Sequence, residues 1–305
     1  LAIAEKLNAP VITTTAGKGA VPEDHPLCAG YRLGLAAGVE FLRGSDCILC
    51  AGSELSETDF WDDNIVLDRN LIRIDIDPAS LARPHTAELA ILGDAGPTLA
   101  AIAARLKGTR AKPRAEFDRL RAITPVPSRE VLAKVLSAIR EALPRDTVVC
   151  SDMTQIAYAA NEHFDVYEPR SWIHPVGFGT LGFALPVAIG AKFSRPTAPV
   201  ACMIGDYGIQ YTINELGTVA EHKLPVVILM WNNERLGAIH DDMVGKGIQP
   251  NAVTLKNPDF QMLAKSYGVH AEKPTSLKAL AVAIKTALAA DGPTLIEMTP
   301  RMVNG

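Results

Sequence analysis

The sequence has no uninterrupted apolar run of membrane-spanning length and no leader of charged then apolar residues, so neither a transmembrane helix nor a signal peptide is expected. It has no basic run and no Arg/aromatic platform. Its formal charge of −4 removes the electrostatic case for a nucleic-acid or anionic-membrane partner. Its five cysteines, Cys28, Cys47, Cys50, Cys150 and Cys202, lie mostly in apolar runs. The Cys47–Cys50 pair sits in a strand-like segment where one spacing cannot make a zinc site, so buried, reduced thiols and a cytoplasmic location are expected. Phosphate-loop, nucleophile-elbow and His-Glu-x-x-His motifs are all missing, which removes three common catalytic readings. What is present is a chain of 305 residues, 48% apolar, long enough to bury one large core or two ordinary ones.

Short β-rich runs alternate with helical ones throughout. "APVITTT" reads as a strand after a helix, "GVEFLRGSDCILCAGS" as helix, strand and glycine turn, "LIRIDIDP" as a strand, and "GDAGPTLAAIAARLKG" as an Ala/Leu-rich helix. Residues 108–127, basic and with three prolines, read as a linker between a first domain at 1–107 and a second at 128–305. The second opens with "SREVLAKVLSAIREALP", a helix capped by Ser128. "DTVVCSD", "APVACMIGD", "LPVVILMWNN" and "PTLIEMT" read as strands, "MTQIAYAANEHF" and "GTLGFALPVAIGAKFS" as helices, the latter small-residued enough to pack closely. This alternation predicts an α/β protein of two tandem parallel-sheet domains with helices on both faces.

Open parallel sheets bind ligands at the carboxyl ends of their strands. Three such ends carry polar groups: Ser151-Asp152, Gly205-Asp206 and Asn232-Asn233. Singly, Gly-Asp is an ordinary turn and Asn-Asn an ordinary strand terminator. Together, one strand-helix-strand unit apart, Asp206 and Asn233 offer an anionic and a neutral oxygen, which suits Mg²⁺ or Ca²⁺. The segment "GIQYTINELGTVAEH" reads as a helix whose first amides face the same place and would hold phosphate. Metal and helix terminus together predict a diphosphate ligand.

The pairing of "GDYG" with "NNERLG" resembles the thiamine diphosphate signature of the acetohydroxyacid synthase and 2-oxoacid decarboxylase superfamily, in which Gly-Asp-Gly is followed by Asn-Asn. "GFGTLGFALPVAIGAK" resembles the run that faces the cofactor in these enzymes. "APVITTTAGKGAVPEDHPLCAG", "SDCILCAGSEL" and "RIDIDPASL" resemble their Rossmann-like middle domain, so the likeness covers nearly the whole chain. The resemblance implies thiamine diphosphate and Mg²⁺ as cofactors. It makes Asp206, the Asn233 side chain and the Arg235 backbone carbonyl the metal ligands. It sets Gly205, Tyr207, Gly208 and Gln155 at the diphosphate. It gives Gly179 the cofactor's 4′-amino group and Leu181 the part of an apolar wedge that bends the cofactor, which makes these two the catalytic positions. It further implies decarboxylation of a small-molecule 2-oxo acid, with acetolactate synthase-like carboligation as the alternative, in a homodimer or homotetramer.

Departures from the pattern carry their own expectations. Tyr207 stands at the second glycine of Gly-Asp-Gly, so that turn must avoid left-handed φ or bear strain. Ile156 stands where relatives have a polar residue, so one phosphate contact is expected to be missing. The opening "LAIAEKLNAPVITT" has no Met and reads as mid-helix. Beside the family pattern, this implies a piece lacking the pyrimidine-binding domain and catalytically incomplete alone. In "LGAIHDDMVGKG", His240, Asp241 and Asp242 would run towards the substrate mouth, where a carboxylate pair could grip a guanidinium or could simply be solvated charge. His174, just before the cofactor-facing run, is the other substrate-side candidate. The likeness is closer to guanidino-oxoacid decarboxylases than to acetohydroxyacid synthases. Two alternatives of other kinds are a groove for FAD or ADP in residues 1–107, though without a complete G-x-G-x-x-G, and a non-catalytic assembly module.

Overall fold

The computed structural model describes residues 1–303 apart from 62–64, 66, 68, 109–114, 124–128 and 255. Two compact units divide the chain, Leu1–Thr124 and Pro125–Gly305. In the first, α1 (Ala2–Leu7) leads into β1 (Val11–Thr13), which pairs in parallel with β2 (Cys28–Tyr31). α2 (Ala36–Arg43), β3 (Ile48–Ala51), α3 (Glu57–Phe60), β4 (Leu71–Asp75), β5 (Leu89–Leu92), α4 (Ala95–Arg105) and α5 (Ala115–Arg121) follow. Strands β3, β4 and β5 make a parallel sheet in that order. α4 begins where the Asp94 carboxylate accepts the Gly96 amide, a side-chain cap. At the middle of β4, Arg73 is buried and donates to the carbonyls of Ser53, Glu54, Arg83 and His85, which spreads its charge over backbone dipoles.

Two segments carry detail beyond the expectations. The segment read as a linker contains α5, because its amphipathic patch buries Phe117 and Leu120 against Ala29. Residues 109–114 and 124–127 of it lie outside the described residues. Cys47 is exposed at the foot of β3, whereas Cys28, Cys150 and Cys202 are buried; all five cysteines are free.

The second unit runs α6 (Glu130–Ala142), β6 (Val148–Ser151), α7 (Gln155–His163), β7 (Trp172–Ile173), α8 (Ala184–Ser194), β8 (Val200–Gly205), α9 (Gly208–Tyr211), α10 (Glu215–Glu221), β9 (Val226–Trp231), α11 (Gly237–Gly245), α12 (Phe260–Ser266), β10 (His270–Glu272), α13 (Leu277–Leu288) and β11 (Thr294–Met298). Its strands form one parallel sheet, β10-β11-β9-β8-β6-β7. The strands are apolar on both sides because helices cover both faces. Val149, Ala201, Met203, Val227 and Leu229 join the cluster built with α6, α7 and α13. Their neighbours Val148, Cys150, Cys202, Ile204 and Ile228 join the cluster built with α8, α10 and α12. α6 lies on its face through Leu132, Val135, Leu136 and Ile139, spaced as one helical stripe. The expected cap at its start, Ser128, lies outside the described residues.

Chain order fixes where a ligand fits. From β6 the chain steps outward to the edge strand β7, then crosses back to β8 on the other side of β6. That reversal between β6 and β8 opens a crevice at their carboxyl ends. Two helices differ from expectation there. The helix expected from Gly208 is broken at residues 212–214, where the Thr212 hydroxyl donates to the Gly182 carbonyl (3.0 Å) and Thr, Ile and Asn favour helix weakly. The helix expected from Gly179 starts at Ala184, because Gly179 (φ +61°) and Gly182 (φ +80°) are left-handed.

Candidate functional site

The three polar strand ends converge on this crevice, since β6, β8 and β9 are consecutive neighbours. Asp206 is 3% exposed. Its Oδ2 accepts the Glu234 amide (2.9 Å) and Asn257 Nδ2 (2.7 Å), and its Oδ1 accepts the Tyr207 amide (3.0 Å). Burial raises its pKa above the ordinary carboxylate value, with those donors pulling the other way. Tyr207 takes φ −82°, a right-handed conformation, so its side chain meets no left-handed penalty.

The two asparagines divide their tasks. Asn232 turns inward: its Nδ2 donates to Glu297 Oε1 (2.8 Å), and its Oδ1 accepts Asn257 Nδ2 (3.0 Å) and the Glu234 amide (3.2 Å). Asn233 Nδ2 donates to Gln155 Oε1 (3.1 Å), which leaves its Oδ1 without a hydrogen bond among the described residues. Arg235 follows left-handed Glu234 (φ +58°) and is held by an antiparallel bridge to Thr254.

Asp152, fully buried at the end of β6, ties in the glycine loop. Its Oδ1 accepts the Met153 amide (2.9 Å) and its Oδ2 the Gly182 amide (2.9 Å). Desolvation raises its pKa too. This anchor sets Gly179, exposed, and Leu181, half-buried, beside the same strand ends. Gly205 ends β8 against the Thr154 hydroxyl, and Gly208 opens α9 directly over Asp152.

The remaining candidates scatter. Gln155 Nε2 donates to Asp241 Oδ2 (2.8 Å), and Asp241 Oδ1 lies 3.0 Å from His240 Nδ1. Asp242 goes elsewhere, to Lys246 Nζ at 2.9 Å. Successive helix residues point about 100° apart, so α11 does not present the two carboxylates as one grip. Ile156 is wholly buried in the core, so its side chain faces packing and not the crevice.

His174 directly follows the edge strand β7. Its Nδ1 lies 2.8 Å from Ser151 Oγ, and its ring stacks on Trp172 (6.2 Å, 18°) with Tyr158 edge-on (6.4 Å). Burial pushes its pKa down to about 4 from 6.5, so it is a neutral hydrogen-bonding group at pH 7. The unfolded chain takes up the proton near 6.5 and the folded chain near 4. Stability therefore falls as pH drops through that window, by about 3 kcal/mol in all. His174→Phe is expected to flatten that acid limb relative to wild type, as read from urea midpoints at pH 7 and pH 4.5.

Sequence reasoning missed Asn257, whose amide bridges Asp206 and Asn232 from 51 positions downstream of Asp206. No local motif marks it, because its role is set by a loop returning before α12. Asp152 was legible as a strand-end acid, but its grip on the Gly182 loop was not.

The donor set fits a divalent cation of the oxygen-seeking kind. It has one carboxylate with a lone pair to spare beyond its three donors, and one amide oxygen. Among the described residues no group of three or more His, Cys, Asp or Glu gathers as a metal site, so the softer transition-metal chemistry has no cluster there.

Residues 152–298 match the C-terminal TPP-binding domain of thiamine pyrophosphate enzymes, and residues 1–102 match the central domain of the same enzymes. The chain is 41% identical over 304 residues to a probable 2-ketoarginine decarboxylase of Pseudomonas aeruginosa, covering 97% of this chain and 54% of that protein. It is 32% identical over 320 residues to a probable acetolactate synthase large subunit of Methanocaldococcus jannaschii (98% and 54%). It is 28% identical over 312 residues to the acetolactate synthase isozyme 2 large subunit of Escherichia coli (95% and 54%). The chain spans about half the length of the curated relatives it matches. None of these descriptions mentions a flavin, so the FAD alternative gains no support from them. Domain order, a parallel sheet reversing at β6 and β8, and an acid and an amide at neighbouring strand ends all agree with these matches: the chain belongs to the thiamine pyrophosphate enzymes.

Proposed function

We propose that this chain holds thiamine diphosphate (thiamine pyrophosphate) through Mg²⁺ and serves the decarboxylation of a 2-oxo acid bearing a guanidino side chain. The observation that carries this reading is Asp206 and Asn233 at the ends of β8 and β9, the one a buried carboxylate, the other with its amide oxygen without a hydrogen bond among the described residues. In this reading Asp206, Asn233 Oδ1 and the Arg235 carbonyl hold the cation. Gly205, Tyr207, Gly208 and Gln155 line the diphosphate, with Gly208 the freer amide because Tyr207 donates to Asp206. Gly179 and Leu181, fixed through Gly182 and Asp152, meet the remainder of the cofactor. When bound, the cofactor supplies an electron sink for the pair left as CO₂ departs. His174 contributes a neutral hydrogen bond on the substrate side, not a charge. Residues 1–107 and 128–305 act as middle and diphosphate-binding domains, in a cytoplasmic homo-oligomer.

The guanidino preference draws on the higher identity to the protein named as a 2-ketoarginine decarboxylase than to those named as acetolactate synthases. Condensation of 2-oxo acids is the second reading. Calorimetric titration of thiamine diphosphate with and without Mg²⁺ tests the first half: heat that requires Mg²⁺ supports it, and none overturns it. CO₂ release from 2-oxo-5-guanidinopentanoate, compared with acetolactate formed from pyruvate, separates the two activities when the chain is assayed together with a pyrimidine-binding domain, without which it is expected to be inactive.

A further inference from the structure

The contact chain Asp241–Gln155–Asn233 has a direction, and the direction carries information. An ionised carboxylate only accepts hydrogen bonds, whereas a primary amide donates at one end and accepts at the other. Asp241 Oδ2 lies 2.8 Å from the Gln155 amide nitrogen, so the Gln155 oxygen must face away. It faces Asn233, whose NH₂ lies 3.1 Å from it. Asn233 is thereby left with its oxygen, not its nitrogen, on the open side.

We propose that Asp241 is a positioning residue that fixes the polarity of both amides, so that Asn233 presents an oxygen to a cation. This rests on the reading that Asn233 is a cation ligand. Without such a lock, an amide presents NH₂ and C=O about equally well, and the NH₂ face repels a cation. Gly237 belongs to the same device: a Cβ there would stand 2.6 Å from both Asn233 Nδ2 and Gln155 Oε1, so a side chain would wedge the junction apart. In this role Asp241 orients a ligand, and its exposed position on α11 means that its replacement leaves the core intact.

Two measurements on the 305-residue chain test it. Outer partners of metal ligands usually contribute about 10-fold to 100-fold in metal affinity, so Asp241→Leu should weaken Mg²⁺ in the presence of thiamine diphosphate by about 10-fold or more. Asp241→Glu, which keeps an acceptor-only carboxylate for Gln155, should recover most of that loss, and the melting temperature of the ligand-free chain should not move in either variant. Independently of any ligand, nitrogen–proton NMR of the side-chain amides should show the Asn233 signals displaced in Asp241→Leu and restored in Asp241→Glu, although among the described residues the Asp241 carboxylate meets Gln155 and His240 and makes no hydrogen bond to Asn233. Asn233→Ala and Gln155→Ala assign the signals. An Asn233 signal unmoved in Asp241→Leu overturns the relay, whether or not the chain binds metal. Binding that is unchanged in Asp241→Leu, when wild type does bind with Mg²⁺, overturns it too. A relay seen by NMR in a chain that binds no Mg²⁺ would instead overturn the reading of the site and leave the relay as a purely structural contact, which also defeats the proposed role.

Discussion

Asp206→Asn is expected to lose Mg²⁺-dependent binding of thiamine diphosphate, by about 100-fold or more, while the ligand-free fold keeps its melting temperature to within a few degrees. The two halves of that expectation have separate causes. A hard divalent cation at a protein site draws its affinity from carboxylate charge, and a neutral amide supplies little of it. Folding does not need that charge. Burial already raises the Asp206 pKa, which means that the ionised carboxylate is held at a cost in the ligand-free protein. An amide oxygen at the same place still accepts from Glu234 and Asn257. Its NH₂ opposes the Tyr207 amide, so one hydrogen bond of about 1 kcal/mol is forfeited against the charge cost removed. Calorimetry for binding and differential scanning for the fold read the two effects apart. Undiminished binding in the variant would remove Asp206 from the metal site.

Gly208→Ala is expected to be the most disruptive single methyl in the second unit. An added Cβ would overlap Asp152 Oδ2, an atom that already accepts the Gly182 amide in a fully buried setting. Either the carboxylate moves and leaves buried amides unpaired, or the end of β8 moves away from β6. Overpacking and buried unsatisfied donors each cost about 1–3 kcal/mol, so a destabilisation of about 3 kcal/mol or more is expected. The loop bearing Gly179 and Leu181 would loosen with it. Gly190→Ala is the matched control. Gly190 lies within α8, and nothing lies within 4 Å of where its Cβ would be. There the same substitution should stabilise by about 0.5–1 kcal/mol through helix propensity. Equal effects at the two positions, in urea unfolding, would show that Asp152 is not pinned as described.

Strand and helix identity in the second unit was largely legible from the sequence, because strands buried on both faces are continuous apolar runs and α6 carries one apolar stripe. Short or edge strands such as β5, β7 and β10 were not, since two to four residues carry no period. The acid and the amides at the strand ends were legible for the same reason that the strands were: an apolar run that stops at Asp206 or at Asn232-Asn233 marks both the edge of the sheet and what stands on it. Their division of labour was not, because Asn232 and Asn233 are chemically identical neighbours. Only the fold brings Glu297 to the first and Gln155 to the second. The separate partners of Asp241 and Asp242 were not legible for a related reason, since adjacency in sequence is divergence on a helix. Local order and the types of ligand atom are written in the chain, where periodicity and residue chemistry decide them. Which oxygen faces outward, what holds the glycine loop and where Asn257 arrives depend on contacts between distant segments, and only the tertiary structure decides those.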